Sequence, residues 1–224
     1  APMSIKHVLF DNDGTVVDSE IIAARAMLRL LARLGLPLVE RDYTMRFPGL
    51  LDRDILAALR LEEGFEPPDD FFQQLRDEHA HGFYHSLRAI RGMPTLFRSL
   101  KVPKSMVSNG SILHVEKSLR KVRLRSAVDG HIFSAEQVDK PKPAPDIYLF
   151  ALEKLRLQPH ETVVVEDSVT GVLAAKDAGI QVIGFLGAAH IHDGHGQKLL
   201  EAGADFIAPD VSALSGVLKK KGAF

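Results

Sequence analysis

The stretch VLFDNDGTVVD, residues 8–18, ends an apolar run in two acids one residue apart, Asp11 and Asp13, and then turns at Gly14. Other stretches bring polar groups suited to the same work. Ser108 and Asn109 lie near the end of KSMVSNG (104–110), Glu166 and Asp167 close TVVVED (162–167), and KPKPAPD (140–146) presents Lys140 and Lys142 just before a helical pattern. Four carboxylates gathered in a small volume repel one another. The simplest remedy is a divalent cation that prefers oxygen, which makes Mg2+ the predicted cofactor rather than zinc. Mg2+ keeps several waters and takes one or two carboxylates, so at least one acid remains for covalent work. A carboxylate beside Mg2+ and a lysine can attack a phosphoryl group and carry it as an acyl phosphate. The acid two positions away can protonate the leaving oxygen and then activate water. The Ser108 hydroxyl, loop N–H groups and Lys142 would neutralise charge on the phosphoryl oxygens.

For these groups to meet, the runs that carry them must be neighbouring strands that end on one rim. Six short apolar stretches read as buried strands: 7–11, 104–110, 131–134, 162–167, 181–185 and 204–208. Helical patterns at 112–122, 146–155 and 169–179 alternate with the later ones, the last closed by Gly179. That alternation predicts an α/β fold with a mostly parallel sheet covered on both faces, whose ligands sit beyond the carboxyl ends of the strands. The prolines of 140–146 predict extended backbone ahead of the helix.

The rhythm breaks between residues 19 and 88. Segments 20–35, 52–64 and 69–87 carry helical periodicity with no strand between them, the first placing Ile21, Met27, Leu28, Leu31 and Leu34 on one face. A helical insert of residues 18–88 is therefore expected within a core of 1–17 and 89–224. Gly92 and Pro94 would punctuate a hinge. Phe71, Phe72, Phe83 and Tyr84, at helical spacing, are expected mainly in the insert's own core.

Composition narrows the partners. The 224 residues carry a formal net charge of -1, which offers no general attraction to nucleic acid or to an anionic membrane, so a small, locally recognised ligand is expected. There is no cysteine, hence no disulfide, thiolate zinc site or cysteine nucleophile. The absence of a signal-like apolar segment gives a cytoplasmic location as the expectation, with the chain a monomer or weak homodimer. AHIHDGHG (189–196) holds His190, His192 and His195, but its glycines deny them a helical face, and a mobile surface loop is expected rather than a second metal site.

Alone, an Asp-x-Asp-Gly after a strand is a turn with capping side chains. Together, DNDGTVVDSE (11–20), VSNGS (107–111), KPKPAPD (140–146) and VVVEDSVTG (163–171) resemble the four ordered motifs of the haloacid dehalogenase-like superfamily of phosphohydrolases. Within it they resemble the β-phosphoglucomutase-like and sugar-phosphatase branch. The resemblance implies a Rossmann-like core with a helical cap inserted after the first strand, the cap acting as a lid. It implies Asp11 as nucleophile and Asp13 as general acid/base, with the Asp13 main-chain carbonyl on the metal. Thr15 would support the loop beside the phosphate, Ser108 and Asn109 would hold phosphate, and Lys142, rather than Lys140, would pair with nucleophile and phosphate. Asp167 would ligate Mg2+, with Glu166 a ligand or close behind one. Glu20, Arg46, Gly49 and Arg53 fall where the resemblance places substrate-contacting residues of the cap. The implied activity is hydrolysis of a phosphorylated sugar or sugar acid. A phosphomutase using the same core, and a catalytically idle binding protein, are the alternatives.

Overall fold

A computed structural model describes residues 4–47 and 50–224, so Gly49 lies outside the described residues. Two compact units divide the chain. The first comprises residues up to Asp18 and from Arg88 onward, and the second spans Ser19–Leu87.

The first unit is built on six strands: β1 (His7–Phe10), β2 (Lys104–Ser108), β3 (Ile132–Ser134), β4 (Thr162–Glu166), β5 (Gln181–Phe185) and β6 (Phe206–Ala208). They form one sheet in the order β3-β2-β1-β4-β5-β6, and every pairing is parallel. Every residue of β1, β2 and β4 is buried, as expected for central strands covered on both faces. Leu9, Val107 and Val164 point to one face. There they pack with Ile147, Tyr148 and Ala151 of α7 (Asp146–Leu155) and with Val172 and Ala175 of α8 (Val169–Asp177). On the opposite face the Phe10 ring lies 4.7 Å from that of Phe97 in α5 (Met93–Ser99). The remaining helices of this unit are α6 (Ile112–Lys121), α9 (His195–Glu201) and α10 (Val211–Lys220). The strand order reverses direction at β1, between β2 and β4. In open parallel sheets such a switch point opens a crevice beyond the carboxyl ends, and β1, β2 and β4 are the strands that carry the predicted chemistry.

The second unit consists of α1 (Glu20–Arg33), α2 (Glu40–Arg46), α3 (Asp52–Glu63) and α4 (Phe71–Ser86). Its own core gathers Met27, Leu30 and Leu31 from α1, Leu59 from α3, and Phe71 and Leu75 from α4. Of the four aromatics expected there, Phe71 is buried, but Phe72 and Tyr84 are exposed. In a helix of this length only one stripe meets the core, and Phe72 and Tyr84 fall off it.

Gly92, at φ +88°, caps α5 and Pro94 occupies its first turn, where a missing N–H costs nothing. One local expectation needs correction. The chain around Lys142 turns rather than running extended: residues 142–145 form a turn, with the Ala144 N–H donating to the Pro141 carbonyl at 3.0 Å. No helix among the described residues is long and apolar enough to cross a membrane.

Candidate active site

Strand β1 hands its pairing on to the first acid. The Asp11 N–H donates to the Val165 carbonyl at 3.0 Å, which keeps Asp11 in register with β4 as the chain leaves the sheet. The chain then coils around one carbonyl, that of Asn12, which accepts from the N–H groups of Thr15, Val16 and Val17 at 3.3, 2.9 and 3.1 Å. Gly14 makes the coil possible at φ +78°, and a Cβ there would stand 2.3 Å from Asp167 Oδ2. The site therefore requires glycine twice over, for backbone freedom and for space. Thr15, fully buried, donates its hydroxyl to Asp167 Oδ1 at 3.0 Å and so ties the β1 loop to the β4 loop.

Lys142 lies at the centre. Its Nζ donates to Asp11 Oδ1 at 3.0 Å, Glu166 Oε1 at 2.5 Å and the Val107 carbonyl at 2.7 Å, so one ammonium joins the ends of β1, β2 and β4. Lys140 is exposed. Asn109 fixes the segment that carries Lys142: its Oδ1 accepts from the Lys142 N–H at 2.9 Å and its Nδ2 donates to the Lys142 carbonyl at 3.1 Å. Ser108 Oγ accepts from the Gly110 N–H at 3.0 Å. Glu166 is enclosed completely. The Tyr148 hydroxyl donates to its Oε1 at 2.9 Å and the Ser168 hydroxyl to its Oε2 at 3.2 Å, while the Tyr148 ring centroid stands 5.2 Å from Lys142 Nζ.

Asp11, Glu166 and Asp167 each offer a carboxylate oxygen within 4.8 Å of the others, all three buried, with Lys142 between two of them. Burial first, then the negative charges of Glu166, Asp167 and Asp13, hold the Asp11 carboxyl well above the usual range despite Lys142. Burial also raises Glu166, with Asp167 adding to it against the pull of Lys142. Burial opposes the charge on Lys142, yet Asp11 and Glu166 outweigh it and hold its ammonium above the ordinary value. One lysine does not neutralise three buried acids. An all-oxygen donor set with surplus negative charge suits a hard divalent cation such as Mg2+.

The Asp13 carboxyl meets a histidine. Its Oδ1 and Oδ2 lie 2.9 and 3.1 Å from His114 Nε2, on α6. His114 carries no site signal in its own segment, although its place just after VSNGS puts it near the same rim. Residues 189–194 form the expected loop, and only from His195 does the segment depart from it. His195 opens α9 and its Nε2 lies 2.6 Å from the Asp167 carbonyl oxygen, while His190 Nε2 is 3.5 Å from Asp167 Oδ2. Two of these histidines flank Asp167 because the loop after β5 starts beside the loop after β4, a proximity set by strand order rather than by local pattern.

In the helical unit, Glu20 opens α1 and is exposed. Arg46 ends α2, pairs with Glu63 at 2.9 Å and with Glu62, and lays its guanidinium 4.8 Å from the Phe47 ring centroid. Arg53, in the first turn of α3, is 75% exposed and lies 3.5 Å from Asp54.

The family model described as haloacid dehalogenase-like hydrolase matches residues 8–185, from β1 through β5. The chain belongs to that family. Its haloacid dehalogenase-like relatives include the 6-phosphogluconate phosphatase of Escherichia coli K12, 30% identical over 187 residues that cover 83% of this chain and 85% of the relative. The phosphorylated carbohydrates phosphatase of Thermotoga maritima is 32% identical over 205 residues, covering 88% and 91%. A solved haloacid dehalogenase family hydrolase from Deinococcus radiodurans R1, with bound phosphate and sodium, superposes with a TM-score of 0.90 at 33% identity and covers 100% of this chain and 98% of that one. The Rossmann-like sheet with a helical insert after β1 is thus the family's fold, and the chain is a hydrolase.

Proposed function

We propose that this phosphoric monoester hydrolase is a Mg2+-dependent phosphatase of small phosphorylated sugars or sugar acids, working through a phosphorylated Asp11. One observation carries the reading: Lys142 Nζ bridges Asp11 and Glu166 beside Asp167, at the switch point of the sheet. The relatives named for sugar phosphates support the substrate class.

The chemistry divides into two displacements. Asp11 attacks phosphorus as the bond to the sugar oxygen breaks, and Asp13 gives that oxygen a proton. Asp13 then takes a proton from water as the water oxygen attacks phosphorus, the bond to Asp11 breaks, and inorganic phosphate leaves. Lys142 keeps positive charge against Asp11 and the phosphoryl oxygens, and Ser108 offers its hydroxyl to them. Asn109 serves Lys142 by clamping its backbone, and Thr15 serves Asp167. We assign the metal to Asp11, Asp167 and the Asp13 main-chain carbonyl. Glu166, with Lys142 and Tyr148 on one oxygen and Ser168 on the other, stands just behind as the partner that fixes Lys142. Bound Mg2+ supplies the positive charge that favours ionised Asp11 and neutralises the phosphoryl group. Glu20, Arg46 and Arg53 of the insert are assigned to reading the organic part of the substrate.

Release of inorganic phosphate from a panel of phosphorylated sugars and sugar acids with Mg2+ tests the reading. Asp11→Asn should abolish it with the fold intact, and undiminished turnover in that variant would refute it. Conversion of β-glucose 1-phosphate to glucose 6-phosphate without free phosphate would make the chain a mutase instead.

A further inference from the structure

We propose that His114 is a positioning residue for Asp13: α6 grips the loop after β1 at two points one helical turn apart and holds the acid/base carboxyl in one orientation. The first point is the His114 imidazole, whose Nε2 reaches both Asp13 oxygens, at 2.9 and 3.1 Å. The second is Ser118, four residues further along the same face. Its Oγ accepts from Asn12 Nδ2 at 3.1 Å and donates to the His114 carbonyl at 2.8 Å. Adjacent residues of the loop are thus bound by adjacent turns of one helix.

The helix that provides this grip is itself fixed at its start. Ser111 caps α6 by accepting from the His114 N–H at 3.1 Å, so the third residue of the helix is tied by its backbone as well as its ring. The approach is close. A Cβ at Gly110 would stand 3.1 Å from His114 Cδ2 and 3.7 Å from Asp13 Oδ2, so the ring and the carboxyl meet beside a position where only glycine leaves both undisturbed.

An aspartate at a loop end has several rotamers, and only some bring its proton to a leaving oxygen. A donor held on a helix removes the unproductive ones in advance, which is how orientation enters a rate. The contact requires only that Nε2 carry hydrogen, which the imidazolium and one neutral tautomer both satisfy. Donation towards one Asp13 oxygen leaves the other able to carry the proton that is transferred.

The inference rests on the phosphatase reading, so the experiment separates the two. Wild type, Asp11→Asn, His114→Ala and His114→Gln are compared on 6-phosphogluconate, whose alcohol must be protonated to leave, and on 4-nitrophenyl phosphate, whose phenolate leaves without a proton. His114→Ala should lower kcat on 6-phosphogluconate by about tenfold or more, a fraction of what a general acid contributes. KM and the Mg2+ affinity measured by calorimetry should stay within about twofold, because neither depends on the orientation of the Asp13 carboxyl. The first-turnover burst of 4-nitrophenolate should be nearly unchanged, and His114→Gln, which restores an N–H donor, should recover most of the loss. Equal losses on both esters in the first turnover, a weakened Mg2+ affinity, no rescue by glutamine, or an unaffected kcat would each overturn the role of His114. Turnover by Asp11→Asn equal to wild type would overturn the phosphatase reading itself.

Discussion

Lys142 and Glu166 meet at 2.5 Å with side chains 4% and 0% exposed, so each is the other's substitute for water. A buried pair of this kind is costly to break from one side, because the survivor keeps its charge and loses its partner. Lys142→Met should lower the unfolding free energy by ~3–5 kcal/mol, with Asp11 and Glu166 left without their cation. Glu166→Gln in the same chain should restore part of that loss. Urea titrations of the two single variants and the double variant would measure the coupling. Tyr148→Phe, which removes one donor from Glu166, should cost ~1–3 kcal/mol.

Metal should stabilise one protein and leave the other unchanged. In wild type, Mg2+ at a hundred times its dissociation constant should add ~2.7 kcal/mol. Asp167→Asn keeps an acceptor for the Thr15 hydroxyl and removes one charge from the crowded trio. It should therefore raise the metal-free melting temperature by ~2–4 °C while abolishing the gain from Mg2+. Thermal melts with and without Mg2+ decide this, and an asparagine variant still stabilised as strongly as wild type would remove Asp167 from the metal site.

Two helical glycines should respond oppositely to the same change. Alanine is favoured over glycine inside a helix by ~1 kcal/mol. At Gly216 in α10 nothing lies within 4 Å of an added Cβ, so Gly216→Ala should stabilise by ~0.5–1 kcal/mol. At Gly171 in α8 the Cβ would fall 2.0 Å from Glu166 Cδ, and the enclosed carboxylate has nowhere to retreat. There the clash outweighs propensity: Gly171→Ala should destabilise by ~2 kcal/mol or more and depress phosphate release. Chemical denaturation of the two variants gives the comparison.

Far from the site, His7 on β1 is buried, with Nε2 2.9 Å from Ser105 Oγ. Burial lowers its pKa from 6.5 to about 4, with His131 and Lys104 adding to the shift and Asp129 opposing it. The folded value lies below the unfolded one, so the contribution is complete above pH 6.5 and is lost as pH falls from about 6.5 to about 4. The loss should approach ~3.5 kcal/mol at ~1.4 kcal/mol per pH unit. His7→Gln should flatten that part of the stability–pH curve, as urea midpoints at successive pH values would reveal.

Much of this architecture was legible in the chain because its signals are local. β1, β2 and β4 are apolar runs closed by polar residues, and Asp11, Glu166 and Asp167 follow from where those runs stop, whereas Lys142 is marked out by the resemblance of KPKPAPD to a family motif. What escaped was decided at a distance. α2 is seven residues long and has no side-chain cap, so neither periodicity nor an N-terminal signal marks it. His195 looked like a loop residue because α9 is equally short and starts at a glycine. His114 had a helical address, but nothing in its own segment states that α6 returns to the loop after β1. That follows only once β1 and β2 are parallel neighbours.

The point where the helical unit leaves and rejoins the sheet is laced shut. Asp18 N–H donates to the Arg88 carbonyl at 3.0 Å, Ile90 N–H to that of Val16 at 2.9 Å, and Val17 bridges to Ala89. The two ends of the excursion are thereby tied to each other and to β1's own continuation, so the start and finish of the excursion stand as a fixed pair of anchors. Such a seam lets one hydrolytic engine accept interchangeable attachments, so the excursion can diverge while Asp11 and Asp13 keep their places.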